Sequence, residues 1–70
     1  MQKSSEDLTM AHEYYREQDY KNCLKVYDIL FHKGEQLSIS ELKEYAISLQ
    51  KNMRYFESIE IARKIWIKKE

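Results

Sequence analysis

The chain has 70 residues, 43% of them apolar and 34% charged, with 12 basic side chains balanced by 12 acidic ones. That length holds one domain, and the even charge gives no general pull toward nucleic acid or an anionic membrane. Proline is absent and Gly34 is the single glycine, so helix breakers are scarce and an all-α domain is expected.

In chain order, Ser4-Ser5-Glu6-Asp7 offers a serine cap and acids suited to the positive end of a helix dipole. Leu8, Ala11, Tyr14 and Tyr15 then recur at helical spacing, which predicts a first helix over about 5–18. Asp19 suits the cap of a second helix that carries Leu24, Tyr27, Leu30 and Phe31 and stops at Gly34. Ser38-Ile39-Ser40-Glu41 reads as a capping box, opening a third helix over about 39–51 with Leu42, Tyr45, Ala46 and Leu49 on its stripe. Asn52 marks a break. A fourth helix follows, with Tyr55, Ile59, Ala62, Ile65 and Trp66 as its expected stripe and lysines in its last turn.

A shift of 35 residues lays one half on the other: Ala11 falls on Ala46, Tyr14 on Leu49, Tyr20 on Tyr55, Cys23 on Ser58, Leu24 on Ile59 and Leu30 on Ile65. Self-similarity at that period is a mark of helical-repeat proteins.

Met10, Ala11, Tyr14, Asp19-Tyr20, Cys23 and Tyr27 stand where the tetratricopeptide-repeat family places a leucine, a small residue, an aromatic, an Asp-Tyr turn, a second small residue and a second aromatic, and the stretch resembles such a repeat. The second half is similar through Tyr45, Ala46, Leu49, Arg54-Tyr55, Ser58 and Ala62. The chain departs from the pattern at Asp7, at Gln18 in place of the frequent turn glycine, and at Glu35 in place of the closing proline. The resemblance implies a single domain over 1–70, with repeat one at about 5–37 and repeat two at about 38–70. The fold it implies is two antiparallel helix–turn–helix repeats, four helices in all, stacked as a short right-handed α-solenoid.

The same resemblance implies protein or peptide binding on a concave face lined by Leu8, His12, Tyr15, Arg16, Lys43, Ile47, Gln50 and Lys51. The places that hold a carboxylate clamp in some members carry Leu8, His12, Lys43 and Ile47 here, so capture of a chaperone C-terminal tail is not expected. Pentatricopeptide arrays, which bind single-stranded RNA, share the period and stand as the alternative, against which the neutral charge weighs.

No catalytic constellation is evident, and neither a cofactor nor a metal is expected. The two histidines lie on different helices, one glycine cannot build a phosphate loop, and Cys23 sits at a small-residue packing position. With one cysteine, no N-terminal apolar signal core and no apolar run long enough to span a bilayer, the sequence points to the cytoplasm or nucleus. The last helix stands out. Ile59, Ile61, Ile65, Trp66 and Ile67 are too many for one buried stripe, and no polar capping helix follows them in the sequence. Ile61 and Trp66 are therefore expected on an exposed edge that meets a partner, a second copy or further repeats.

Overall fold

The computed structural model describes the backbone of residues 3–69 and the side chains of residues 6–67. Those residues form four helices and no strand: α1 Lys3–Arg16, α2 Tyr20–His32, α3 Ile39–Lys51 and α4 Tyr55–Lys69. Helices consecutive in the chain pack on one another, and α1 also touches α3.

Local chemistry sets the boundaries. Asp19 caps α2, accepting from the Asn22 amide, and Ser38 caps α3 in a complete capping box with Glu41. The Ser38 hydroxyl accepts from the Glu41 amide at 3.2 Å, and the Ser38 amide donates to Glu41 Oε1 at 2.8 Å. Helix α1 starts earlier than the sequence suggested, with Ser4 and Ser5 inside its first turn, and the side chains of that expected cap lie outside the described ones. It also ends two residues sooner, at Arg16, because Gln18 takes a φ of 63°.

The turns repeat with the 35-residue period. Met53 also has a φ of 63°, as Gln18 does. The Asp19 amide donates to the Tyr14 carbonyl and the Arg54 amide to the Leu49 carbonyl, each at 2.8 Å. These bonds satisfy carbonyls that the ends of α1 and α3 would otherwise leave open. Between α2 and α3, Gly34 at φ 86° does the same work without a side-chain penalty, and the Glu35 amide reaches the Leu30 carbonyl at 3.1 Å.

The core is Ala11 from α1, Cys23, Leu24, Tyr27 and Leu30 from α2, Leu37 from the connection, Leu42, Tyr45, Ala46 and Leu49 from α3, and Ile61 from α4. Small side chains mark the close approaches. Ser48, fully buried on α3, donates its hydroxyl to Cys23 Sγ at 3.2 Å, while Ser58 of α4 donates to the Ala46 carbonyl at 3.2 Å. Each pair satisfies a buried hydroxyl at a place too tight for a larger group.

The expected stripe of α4 is corrected here. Ser58, Ile61 and Ile65 face α3 and the core, whereas Tyr55, Ile59, Ala62 and Trp66 are exposed. The bulkier apolar set faces outward because the approach to α3 is made through the small Ser58, with Ile61 one turn along the same side. Ile61 is 3% exposed and belongs to the core, not to an exposed edge.

Candidate interaction surfaces

Two polar networks tie α2 to α3. The dipeptides Tyr27-Asp28 and Glu44-Tyr45 interlock: the Tyr27 hydroxyl donates to Glu44 Oε1 at 2.8 Å, and the Tyr45 hydroxyl donates to Asp28 Oδ1 at 2.6 Å. Their rings lie 5.7 Å apart, centroid to centroid, inclined by 30°. Burial first, and then the bond to a carboxylate, pushes both phenols well above the ordinary tyrosine range. Arg54 extends the second network, donating to Asp28 Oδ2 at 2.9 Å and pairing with Glu57. That pairing holds the Glu57 carboxyl below its usual range.

The first network reaches the α1 and α3 residues that the sequence marked for binding. His12 Nδ1 lies 2.8 Å from Glu44 Oε1, and its Nε2 lies 3.9 Å from Glu41 Oε2. Histidine therefore bridges α1 to α3, with one carboxylate oxygen shared between His12 and Tyr27. The sequence marks Glu41 only as a capping acid, and gives no sign that Glu41 and Glu44 meet His12. Carboxylates on an exposed helix face look like solvated charge until the neighbouring helix is known.

The other expected residues of that face divide into two sets. Leu8 and Tyr15 are half-buried and pack against the core, with the Tyr15 ring edge-on to Tyr20 at 5.7 Å. Lys51 places its ammonium 5.5 Å from the Tyr20 ring centre, a cation–π contact. Tyr20 thus links Tyr15 of α1 to Lys51 of α3. Ile47 is half-buried, while Arg16, Lys43 and Gln50 are exposed. Much of the face is spent on joining α1, α2 and α3.

The outer side of α4 is different. Tyr55, Phe56, Ile59, Trp66 and Ile67 each expose more than half of their surface, Phe56 as much as 87%. Of the two residues the sequence placed on this edge, Trp66 is there, 69% exposed, and Ile61 is not. The 35-residue equivalents of Tyr55, Ile59, Ala62 and Trp66 are Tyr20, Leu24, Tyr27 and Phe31. Those α2 residues are the ones turned to α3: Tyr27 and Phe31 both lie against the Tyr45 ring, and Tyr20 lies under Lys51. Beside the end of α4, a cleft of about 420 Å³ is lined mainly by Phe31, Gly34, Leu37, Leu42, Lys64 and Ile67.

Cys23 is buried, and burial raises its thiol above the ordinary value, so it is held as the unreactive thiol. Among the described residues, no group of three or more histidine, cysteine or carboxylate side chains is placed to hold a metal ion. Among those residues, too, no helix is long and apolar enough to cross a membrane. Comparison with protein families, with curated proteins and with solved structures gave no match.

Proposed function

We propose that the chain is a short helical-repeat module of tetratricopeptide type, two helix pairs stacked as a right-handed solenoid, that acts by binding protein and not by catalysis. One observation carries this reading. The α2 positions turned to α3, Tyr20, Leu24, Tyr27 and Phe31, have Tyr55, Ile59, Ala62 and Trp66 as their 35-residue equivalents on α4, and there they are exposed. Exposed apolar area of this extent, concentrated on one helix, is the signature of an interaction surface. The repeated turn geometry at Gln18 and Met53 supports the repeat reading. The face formed by α1 and α3 contributes Arg16, Lys43 and Gln50 as a polar rim, since its aromatic and histidine groups already hold the helices together.

Crosslinking followed by affinity purification from native cells tests the reading, using wild type beside Ile59→Glu on α4 and Lys43→Glu on α3. Both positions allow a charge without disturbing the core. A specific protein set lost with Ile59→Glu and kept with Lys43→Glu supports α4 as the binding face. A set indifferent to both substitutions refutes it. Salt-sensitive retention on single-stranded RNA would favour the pentatricopeptide alternative instead.

A further inference from the structure

The open face of α4 has a chemistry that selects its occupant, and we infer that it is a second copy of this chain, packed antiparallel on α4 about a two-fold axis. The inference rests on the interaction-module reading and names its partner.

Charge is the first argument. On the outward flank of α4, Glu60 lies in the N-terminal half and Arg63 in the C-terminal half, whereas Glu57 is paired with Arg54 and Lys64 lies over the Phe31 ring. A parallel pairing sets like charge on like. An antiparallel pairing sets the acidic half of each helix on the basic half of the other, and complementary charge fixes register and orientation at such a contact. At 100° per residue, Phe56, Glu60, Arg63 and Ile67 share one flank of the helix, next to the Tyr55, Ile59, Ala62 and Trp66 row. Helices crossing near residues 61 and 62 bring Glu60 to Arg63 of the second copy and Phe56 to its Ile67. Both contacts occur twice across the axis, as a self-complementary interface requires.

Area is the second argument. The exposed parts of Tyr55, Phe56, Ile59, Trp66 and Ile67 amount to roughly 600 Å² per copy, from the surface that side chains of this size carry. A pair would bury about 1,200 Å², which reaches the range of specific protein interfaces.

The rival arrangement, in which the α1 of one copy covers the α4 of the next, sets the wrong chemistry against that face. The α1 residues that would stand where Leu42, Tyr45 and Ser48 stand on α3 are Asp7, Met10 and Glu13. Two of the three are carboxylates, which would be set against aromatic rings with no partner, at a desolvation cost that apolar contact does not return. A head-to-tail stack would also grow without closing, whereas the two-fold pair closes on itself.

Trp66 is the only tryptophan and lies on this face, so its emission reports burial directly. Sedimentation equilibrium and Trp66 fluorescence on the full chain, from about 1 μM to 1 mM, should show a shift from 8.6 kDa to twice that mass, with emission moving to the blue. Ile59→Glu should abolish both changes while leaving the far-ultraviolet dichroism of the monomer intact. Glu60→Lys and Arg63→Glu should each weaken pairing tenfold or more, and an equimolar mixture of the two should pair nearly as well as wild type. A chain that stays at 8.6 kDa throughout, or a mixture no tighter than its components, overturns the proposal. The broader reading is scored separately by the affinity purification above: if a monomeric chain still captures a protein set that Ile59→Glu loses, only self-pairing fails, and if it does neither, the interaction surface fails with it.

Discussion

Removing the Tyr27 hydroxyl tests the clasp between α2 and α3. Tyr27→Phe keeps a fully buried ring, so it opens no cavity, and deletes only the donor to Glu44 at 2.8 Å. A hydrogen bond to a charged group contributes about 1.5–3 kcal/mol. Glu44 keeps His12 as a partner, so its carboxylate is not orphaned and the cost should fall at about 1.5–2 kcal/mol. Tyr45→Phe should cost about the same, since Asp28 keeps Arg54. The same clasp predicts an alkaline signature. Folded Tyr27 and Tyr45 hold their protons well above the ordinary range, whereas unfolded tyrosines release them near pH 10. The unfolded chain then binds fewer protons, so stability is fully present below about pH 10 and falls as pH rises beyond it. Each clasped tyrosine steepens that fall by about 1.4 kcal/mol per pH unit, and each phenylalanine variant removes its share. Urea unfolding at one protein concentration, at pH 7 and stepwise from pH 9.5 to about 11.5, measures both quantities. The reasoning fails if either variant loses less than about 0.5 kcal/mol at neutral pH. It fails equally if all three proteins lose stability in parallel above pH 10.

The positive φ angles at Gln18 and Met53 are an avoidable cost. Replacing either with glycine should raise stability by about 0.5–1 kcal/mol, and Gly34→Ala should lower it by about 1 kcal/mol through the backbone alone, because nothing lies within 4 Å of an added Cβ. Thermal melts followed by circular dichroism should move by several degrees in those opposite directions, and shifts of the same sign would contradict the turn analysis. Ser38→Ala should cost about 1 kcal/mol by removing the capping box of α3, and Ser38→Asp should restore most of it. Equal denaturation midpoints for the alanine and aspartate variants would show that the cap contributes nothing.

The helical boundaries were legible because they rest on local chemistry. Asp19, Ser38, Gly34 and Asn52 each punctuate the chain through their own backbone or side chain, and α2 and α3 begin and end beside those residues. The face of α4 was not legible, because two apolar sets compete for it and hydrophobicity favours the wrong one. What decides is Ser58, whose small hydroxyl fits beneath Ala46 and brings Ile61 with it into the core. The 35-residue alignment held a hint of this in Cys23 and Ser58, both small, both buried and both hydrogen-bonded to α3. It was outweighed by matching large residues whose burial on α2 depends on α3. The structure joins His12 of α1 to Glu44 and Glu41 of α3, partners that could not be read from the sequence. Its distance in sequence from Glu44 is 32 residues, and only the packing of α1 on α3 makes them neighbours.

The contacts of the fold run almost entirely between helices adjacent in the chain, α1 with α2, α2 with α3 and α3 with α4. Each can form by closing a connection of a few residues, which keeps the entropic cost of every step small and makes folding fast. The same economy makes the molecule uneven in time. Helices α2 and α3 are held from both sides and by the tyrosine–carboxylate clasp, whereas α4 leans on α3 alone at the level of the backbone. Amide protons of α4 should exchange with solvent first, and those at the centre of α2 and α3 last. The helix that carries the open apolar face is thus also the one most easily released, so whatever docks there would steady the fold as it binds.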